Sequence, residues 1–265
     1  MRGRVALLVS SFYHRAAGDV FEATVATTSP WDARFQHAGP PLALIARLID
    51  ERFADDGMRI GRMTIEILGP IPKVQLTVET KVLRPGKRIK LVEATLLSAG
   101  NVVLVANVWR FSQLGEIALP PVSPGRPLYP LPDAGARLEL PESANEYFRA
   151  FEWRYAFGSR DLGPAAVWCR SDLALIEGEP RDARDLLLAL ADSANGISIE
   201  LPLKAWFSIP TSVTVSLARD PVGEWVYLEA RTLIGPDGRG VTTGFLGDLD
   251  GEAGNIVQAL LVSPR

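Results

Sequence analysis

Pro40-Pro41-Leu42-Ala43-Leu44-Ile45-Ala46-Arg47-Leu48-Ile49-Asp50-Glu51-Arg52-Phe53 is the stretch on which the fold turns. Leu42, Ile45, Ala46, Ile49 and Phe53 recur at helical spacing. The two prolines sit where a helix starts and a missing N–H does no harm. Asp55-Asp56-Gly57 ends the helix. Beyond it the period changes from helix to strand. Met63 to Leu68 is one segment, and Val74 to Leu83 places Val74, Leu76, Val78, Thr80 and Val82 on one face. Arg84-Pro85-Gly86-Lys87 has proline and glycine where a type II turn wants them. Ile89 to Leu97 and Val102 to Phe111 are two further strands, divided by the turn Ala99-Gly100-Asn101.

The second half repeats this order. Phe151 to Phe157 and Ala165 to Ile176 read as strands. Pro180 precedes a helix carrying Leu186, Leu187, Leu188 and Leu190, apolar nearly all round and so expected to be buried on most sides. Strands follow near Ser212 to Leu217, Trp225 to Leu233, Gly240 to Leu246 and Ile256 to Val262. Short echoes support a duplication: Glu93-Ala94-Thr95-Leu96 resembles Glu229-Ala230-Arg231-Thr232-Leu233, and Gly100 and Gly238 each mark the next turn. Between the halves lie Pro120, Pro121, Pro124, Pro127, Pro130, Pro132 and Pro141, a density that no packed sheet or helix accepts. The expected organisation is an N-terminal domain over 1–116, a linker over 117–141 and a C-terminal domain over 142–265.

A helix followed by antiparallel strands in each half is an α+β pattern. The apolar sheet face must be covered, and one helix wrapped by the sheet covers it. That is the hot-dog arrangement, and two in one chain, a double hot-dog, are expected to pair internally into a continuous sheet.

Composition limits the chemistry. Over 265 residues, 47% are hydrophobic and 22% charged, with a net charge of -3 and a pI of about 5.6. This is an ordinary globular balance without the basic field of a nucleic-acid binder. The single cysteine, Cys169, excludes an intramolecular disulfide and fits a reducing, cytoplasmic setting. His14 and His37 are the only histidines, and there is no CxxC, HExxH or GxSxG pattern, so zinc sites and a Ser-His-Asp triad find no support. The start, Met1-Arg2-Gly3-Arg4 then Val5 to Val9, imitates a signal peptide only faintly. No apolar run is long enough to span a bilayer.

Several stretches resemble the double hot-dog acyl-CoA thioesterases of the acyl-CoA thioesterase II type, in particular their actinobacterial relatives. They are Ser29-Pro30-Trp31, His37-Ala38-Gly39-Pro40-Pro41-Leu42-Ala43-Leu44, Leu190-Ala191-Asp192-Ser193-Ala194-Asn195-Gly196, Leu217-Ala218-Arg219-Asp220-Pro221-Val222-Gly223-Glu224-Trp225-Val226 and Val257-Gln258-Ala259-Leu260-Leu261-Val262. The resemblance implies hydrolysis of acyl-CoA by a water held by an aspartate, a glutamine and a hydroxyl, without a metal or other cofactor. It puts the aspartate at Asp192 and the glutamine at Gln258. The hydroxyl falls among Thr211, Ser212 and Thr214, with Ser212 first and Thr214 next. The helix start that serves as oxyanion hole in that family reads Ala38-Gly39 here, with His37 as a positioning residue. Alanine keeps the N–H but restricts the backbone.

Each residue also has a plainer reading. Asp192 is open to being an exposed helix residue, Gln258 a solvent-facing strand position, and Ser212 a strand start. Arg84, with Lys87, Arg88 and Lys90, forms either a clamp for CoA phosphates or a solvated hairpin tip, and Arg219 holds the comparable place in the second half. The tryptophans read as core, domain-interface or acyl-tunnel material, and Cys169 as buried and inert. Asp50 and Asn107 fall near the repeat positions of Asp192 and Gln258, yet no second site is expected of them. Beside the enzyme stands a non-catalytic scaffold binding acyl-CoA or acyl-carrier protein, possible in a homo-oligomer. An enoyl-CoA hydratase would need Asp and His close in sequence, and no such motif is present.

Overall fold

A computed structural model describes residues 9–115, 117, 119–120, 122 and 124–265. The signal-like start falls mostly on residues outside these. The first half contains β1 (Ser11–Ala17), β2 (Val20–Ala23), α1 (Gly39–Arg52), β3 (Met58–Ile67), β4 (Gln75–Arg84), β5 (Ile89–Ser98) and β6 (Asn101–Ser112). The second contains α2 (Glu146–Arg149), β7 (Glu152–Phe157), β8 (Ala165–Arg170), β9 (Ala174–Ile176), α3 (Ala183–Ala191), α4 (Ala194–Ile197), β10 (Trp206–Leu217), β11 (Val226–Ile234), β12 (Arg239–Asp248) and β13 (Gly251–Pro264).

All thirteen strands join one sheet, in the order β7-β8-β11-β12-β13-β10-β3-β6-β5-β4-β2-β1-β9. The halves meet at the antiparallel pair β10–β3. Thr64 lies opposite Thr214, their hydroxyls 3.0 Å apart, at a local two-fold between the repeats. The internal pairing expected of a double hot-dog is therefore present. The sequence reading lacks β1, β2, α2 and α4, and the segment it gives as a single strand over 165–176 breaks after Arg170, where β9 crosses to pair in parallel with β1 of the other half.

α1 is buried along most of its length because it is covered by the sheet on one side and by α3 on the other. Its start crosses α3 so closely that a Cβ on residue 39 would lie 2.0 Å from the Ala189 carbonyl oxygen. Only glycine allows that approach. α3 opens on Asp182, whose carboxylate accepts the Arg184 N–H at 2.8 Å, a standard N-cap. Paired charges also tie the helices together: Arg184 meets Asp50 at 2.5 Å, and Arg47 meets Asp185.

Among its described residues, the proline-rich stretch 117–141 contributes neither a strand nor an α-helix. From Arg126 onward it nevertheless packs on the second half. The Tyr129 carbonyl accepts from the Trp168 indole at 2.9 Å, and the Leu138 N–H donates to Trp153 at 2.8 Å.

Candidate active site

α3 ends at Asp192, and the chain turns there into α4. The Asp192 carboxylate is buried, 5% exposed, at a helix C-terminus, where the dipole also disfavours negative charge. One oxygen, Oδ1, accepts from Gln258 Nε2 at 2.9 Å. The other, Oδ2, accepts the Ala38 N–H at 3.1 Å and lies 3.0 Å from His37 Nδ1. Gln258 is fully buried on β13, and its Oε1 accepts the Asn195 N–H at 2.9 Å. A backbone N–H must meet an acceptor, so the amide is held with its NH2 toward Asp192.

Burial pushes the Asp192 carboxyl up to about 7, against the Ala38 N–H and the Gln258 amide, which both favour the charged form. Burial also pushes His37 down to about 3, so the imidazole is neutral and its contact with Asp192 is a hydrogen bond rather than an ion pair. Nδ1 donates to the carboxylate when Asp192 is ionised. The Gly39 N–H, 3.4 Å from the same nitrogen, is then without an acceptor.

The other buried acids differ. Glu152 is paired with Arg154 and Arg170, Asp248 with Arg219, and Asp185 with Arg47. Among the four buried acids of the described residues, Asp192 alone lacks an arginine. An uncompensated buried carboxylate is costly and marks a candidate site.

His37, Ala38, Asp192, Ser193 and Asn195 line one part of a cavity of about 730 Å³. The rest is largely apolar and aromatic, with Trp31, Phe35, Phe148, Trp153, Trp206 and Phe207 in its walls. Leu138 and Leu140 add to it, so the end of the proline-rich stretch forms part of the wall.

The structure thus brings together His37, Ala38, Asp192 and Gln258, with Gly39 beside them. It does not bring Ser212 or Thr214 to them. Gln258 lies opposite Val213, so both point inward. Ser212 and Thr214 are the alternate residues and face outward, Thr214 toward Thr64. A bulge between Pro210 and Ser212 leaves Thr211 on the cavity rim, its hydroxyl on the Ala259 carbonyl at 3.2 Å. Inward-facing Pro210 and Val213 carry no hydroxyl. The Ala38–Gly39 helix start also differs from the expected oxyanion hole. The Ala38 N–H is taken by Asp192, and Pro40 and Pro41 remove the next two donors.

Both arginines lie elsewhere. Arg84 donates to the Ile89 carbonyl of its own hairpin at 2.9 Å. Arg219 grips Asp248 at 2.6 and 2.7 Å and the carbonyls of Gly251 and Glu252, a lock on the β12–β13 turn. Neither lines the cavity.

The sequence reading missed Tyr147 and a row of hydroxyls. Tyr147 stacks on His37, with ring centres 4.0 Å apart and planes 7° apart. Its hydroxyl donates to the Ala189 carbonyl at 2.8 Å and accepts from Ser193 at 2.8 Å, bracing the end of α3 that carries Asp192. The available signal was Asn145, which caps the Phe148 N–H at the start of α2. The hydroxyl beside Gln258 on the inner face is Thr242, on β12 rather than β10. It is hydrogen-bonded to Thr232 at 2.7 Å, and Thr232 to Ser198 at 2.8 Å.

The repeat explains why the first half has no counterpart site. Val213 faces Gln258 as Met63 faces Val108 about the Thr64–Thr214 centre, so Val108 holds the glutamine position. Asn107 is one residue out of register. Asp50 is paired with Arg110 and Arg184.

Residues 128–262 match the model of the acyl-CoA thioesterase C-terminal domain, and residues 27–111 that of the acyl-CoA thioesterase N-terminal domain. No curated protein matches the chain by sequence. Among solved structures, the chain is similar to a putative thioesterase II from Thermobifida fusca, at 13% identity and a TM-score of 0.72, over 95% of this chain and 96% of that one. It is similar to a hot-dog protein from Alicyclobacillus acidocaldarius at 16% identity and a TM-score of 0.69, over 93% and 94%. A TesB protein from Mycobacterium avium subsp. paratuberculosis gives 15% identity and a TM-score of 0.68, over 95% and 96%. At these identities the likeness is one of fold.

Proposed function

The chain belongs to the acyl-CoA thioesterase family, and from that premise we propose that it hydrolyses fatty acyl-CoA to the free acid and CoA at Asp192. The observation that carries this reading is the buried Asp192–Gln258 pair, without a cation among the described residues, with Asp192 lining a largely apolar cavity. A carboxyl near 7 is suited to a general base at neutral pH. The acyl chain lies in the aromatic-walled cavity and brings its carbonyl carbon to Asp192. Water bound to the carboxylate attacks that carbon, and Asp192 takes its proton. Gln258 fixes the carboxylate by its amide N–H and limits the directions from which water is accepted. The C–S bond then breaks, and the proton on Asp192 passes to the departing CoA sulfur.

A second reading has its own support. The inward positions of β10 next to Gln258 are Pro210 and Val213, so the water would lack the hydroxyl expected there. That favours a domain that binds acyl thioesters, of CoA or of a carrier protein, without turning them over. Thiol release from a panel of short to long acyl-CoAs, in wild type and Asp192→Ala, separates the two. Release in wild type that drops by roughly a hundredfold or more in the variant supports hydrolysis at Asp192. Binding without release supports the scaffold, and unchanged release in the variant moves the site elsewhere.

A further inference from the structure

Thr232, Thr242 and Gln258 stand side by side across β11, β12 and β13 on the inner face of the sheet. Thr232 and Ser198 line the cavity, flanked by Ile199 and Ile234. Hydroxyls in such a wall need a partner, and here they supply each other. The proton order is forced. Ser198 donates to the Ala194 carbonyl at 2.8 Å, an atom that only accepts. Ser198 Oγ must therefore receive the Thr232 proton at 2.8 Å, and Thr232 Oγ1 must receive the Thr242 proton at 2.7 Å.

Thr232, which keeps a little exposure where Ser198 is fully buried, has no proton left to give and keeps one unused lone pair. In a largely apolar wall, Thr232 thus offers a hydrogen-bond acceptor and no donor of its own. With adjacent strands about 4.8 Å apart, Thr232 stands roughly 10 Å from Gln258, on the wall of the same cavity that Asp192 lines. We propose that Thr232, its proton held by the buried Ser198 behind it, forms a seat for a hydroxyl group on the acyl chain, so that hydroxyacyl thioesters are the preferred substrates. This rests on the thioesterase reading and adds the substrate class. A keto group in the same place offers only acceptors and gains nothing from the seat.

The test uses the whole protein and CoA thioesters of decanoic acid, of its derivatives hydroxylated at successive carbons, and of the matching oxo acids. One hydroxylated isomer is expected to exceed decanoyl-CoA in kcat/KM by about tenfold, the worth of one buried hydrogen bond, while its oxo analogue does not. Thr232→Val should erase that advantage. Because this change orphans the Thr242 proton, Thr232→Val/Thr242→Val serves as the second variant. The proposal is overturned if no hydroxylated isomer is preferred, if the oxo analogue gains equally, or if both variants keep the wild-type ratio. Should no thioester release thiol, the hydrolase reading fails by itself. The same ranking is then read from quenching of the cavity tryptophans as each thioester binds, and equal affinities sink the seat.

Discussion

Replacing Asp192 by asparagine should change how stability depends on pH, and the sign follows from the site. The carboxyl is raised by burial to about 7, from an ordinary 3.8. Between about pH 4 and pH 7 the unfolded chain has lost this proton while the folded chain keeps it, so stability falls as pH rises. The shift of about 3 pH units corresponds to roughly 4 kcal/mol, present below the unfolded value and lost on passing the folded one. His37 acts in the opposite sense. Burial lowers it from 6.5 to about 3, so its contribution is present above the unfolded value and lost as pH falls toward 3. In wild type the two slopes largely cancel between about pH 4 and 6.5. Asparagine leaves only the histidine slope. The difference in unfolding free energy, variant minus wild type, should therefore grow by about 4 kcal/mol between about pH 4 and pH 8. Asparagine also sets one N–H against a donor, since Ala38 and Gln258 both donate to this side chain. That adds an offset independent of pH, and only the change with pH is diagnostic. Guanidinium titrations of both proteins across this range measure it. A difference that stays constant to within about 1 kcal/mol would show that Asp192 is not held protonated by burial. The argument for it as a neutral-pH base would go with it. The same carboxyl should make wild-type thiol release climb roughly tenfold per pH unit below about 7 and level off above.

Gly39→Ala places a methyl against the Ala189 carbonyl at a distance no packing tolerates, so α1 and α3 must separate. A loss of about 2 kcal/mol and a melting temperature lower by about 5 °C are expected by calorimetry, together with weaker thiol release, because Ala38 moves with the helix. Tyr147→Phe keeps the ring on His37 and removes the hydroxyl between Ala189 and Ser193. It should cost about 1–3 kcal/mol in a denaturant titration. It should also lower kcat roughly tenfold with little change in KM, since the brace positions Asp192 without facing the substrate chain; a change confined to KM would place Tyr147 against the substrate instead.

The order of helix and strands was legible because apolar periodicity changes from helical to alternating at Gly57 and again after the helix carrying Leu186 to Leu190. Asp192 was legible through its neighbours: an acid directly after Leu190-Ala191 is hard to place on a surface. The inner face of β13 was not. Ile256, Leu260 and Val262 point inward, but Val257 and Leu261 point outward and are half-exposed, so alternation could not tell which face held Gln258. The same ambiguity hides Thr242 on β12, where Val241 and Phe245 face outward and Thr242 inward. On β10, the bulge at Thr211 shifts the register by one residue, and a one-residue slip exchanges the two faces. The resemblance leaves the hydroxyl open among Thr211, Ser212 and Thr214, and the bulge turns Ser212 and Thr214 away from Gln258. The β1–β9 pairing had no local signal, since parallel partners are brought together by the fold and not by a turn.

The two halves show what separates a site from a structural copy of one. Each places an acid near the end of its central helix and an inward residue on its last strand. In the first half Asp50 is neutralised by Arg110 and Arg184, and the strand position is Val108. The acid there serves helix packing. In the second half the acid has no cation among the described residues, the strand position is Gln258, and Asp192 lines a cavity. A paired buried carboxylate holds its charge and ties elements together, whereas an unpaired one held by amides keeps a proton it can exchange near neutrality. The Arg184–Asp50 bridge joins the helix that carries Asp192 to α1. The first half's silent acid thereby fixes the crossing at Gly39 and Ala189 on which the geometry of the second half's acid depends.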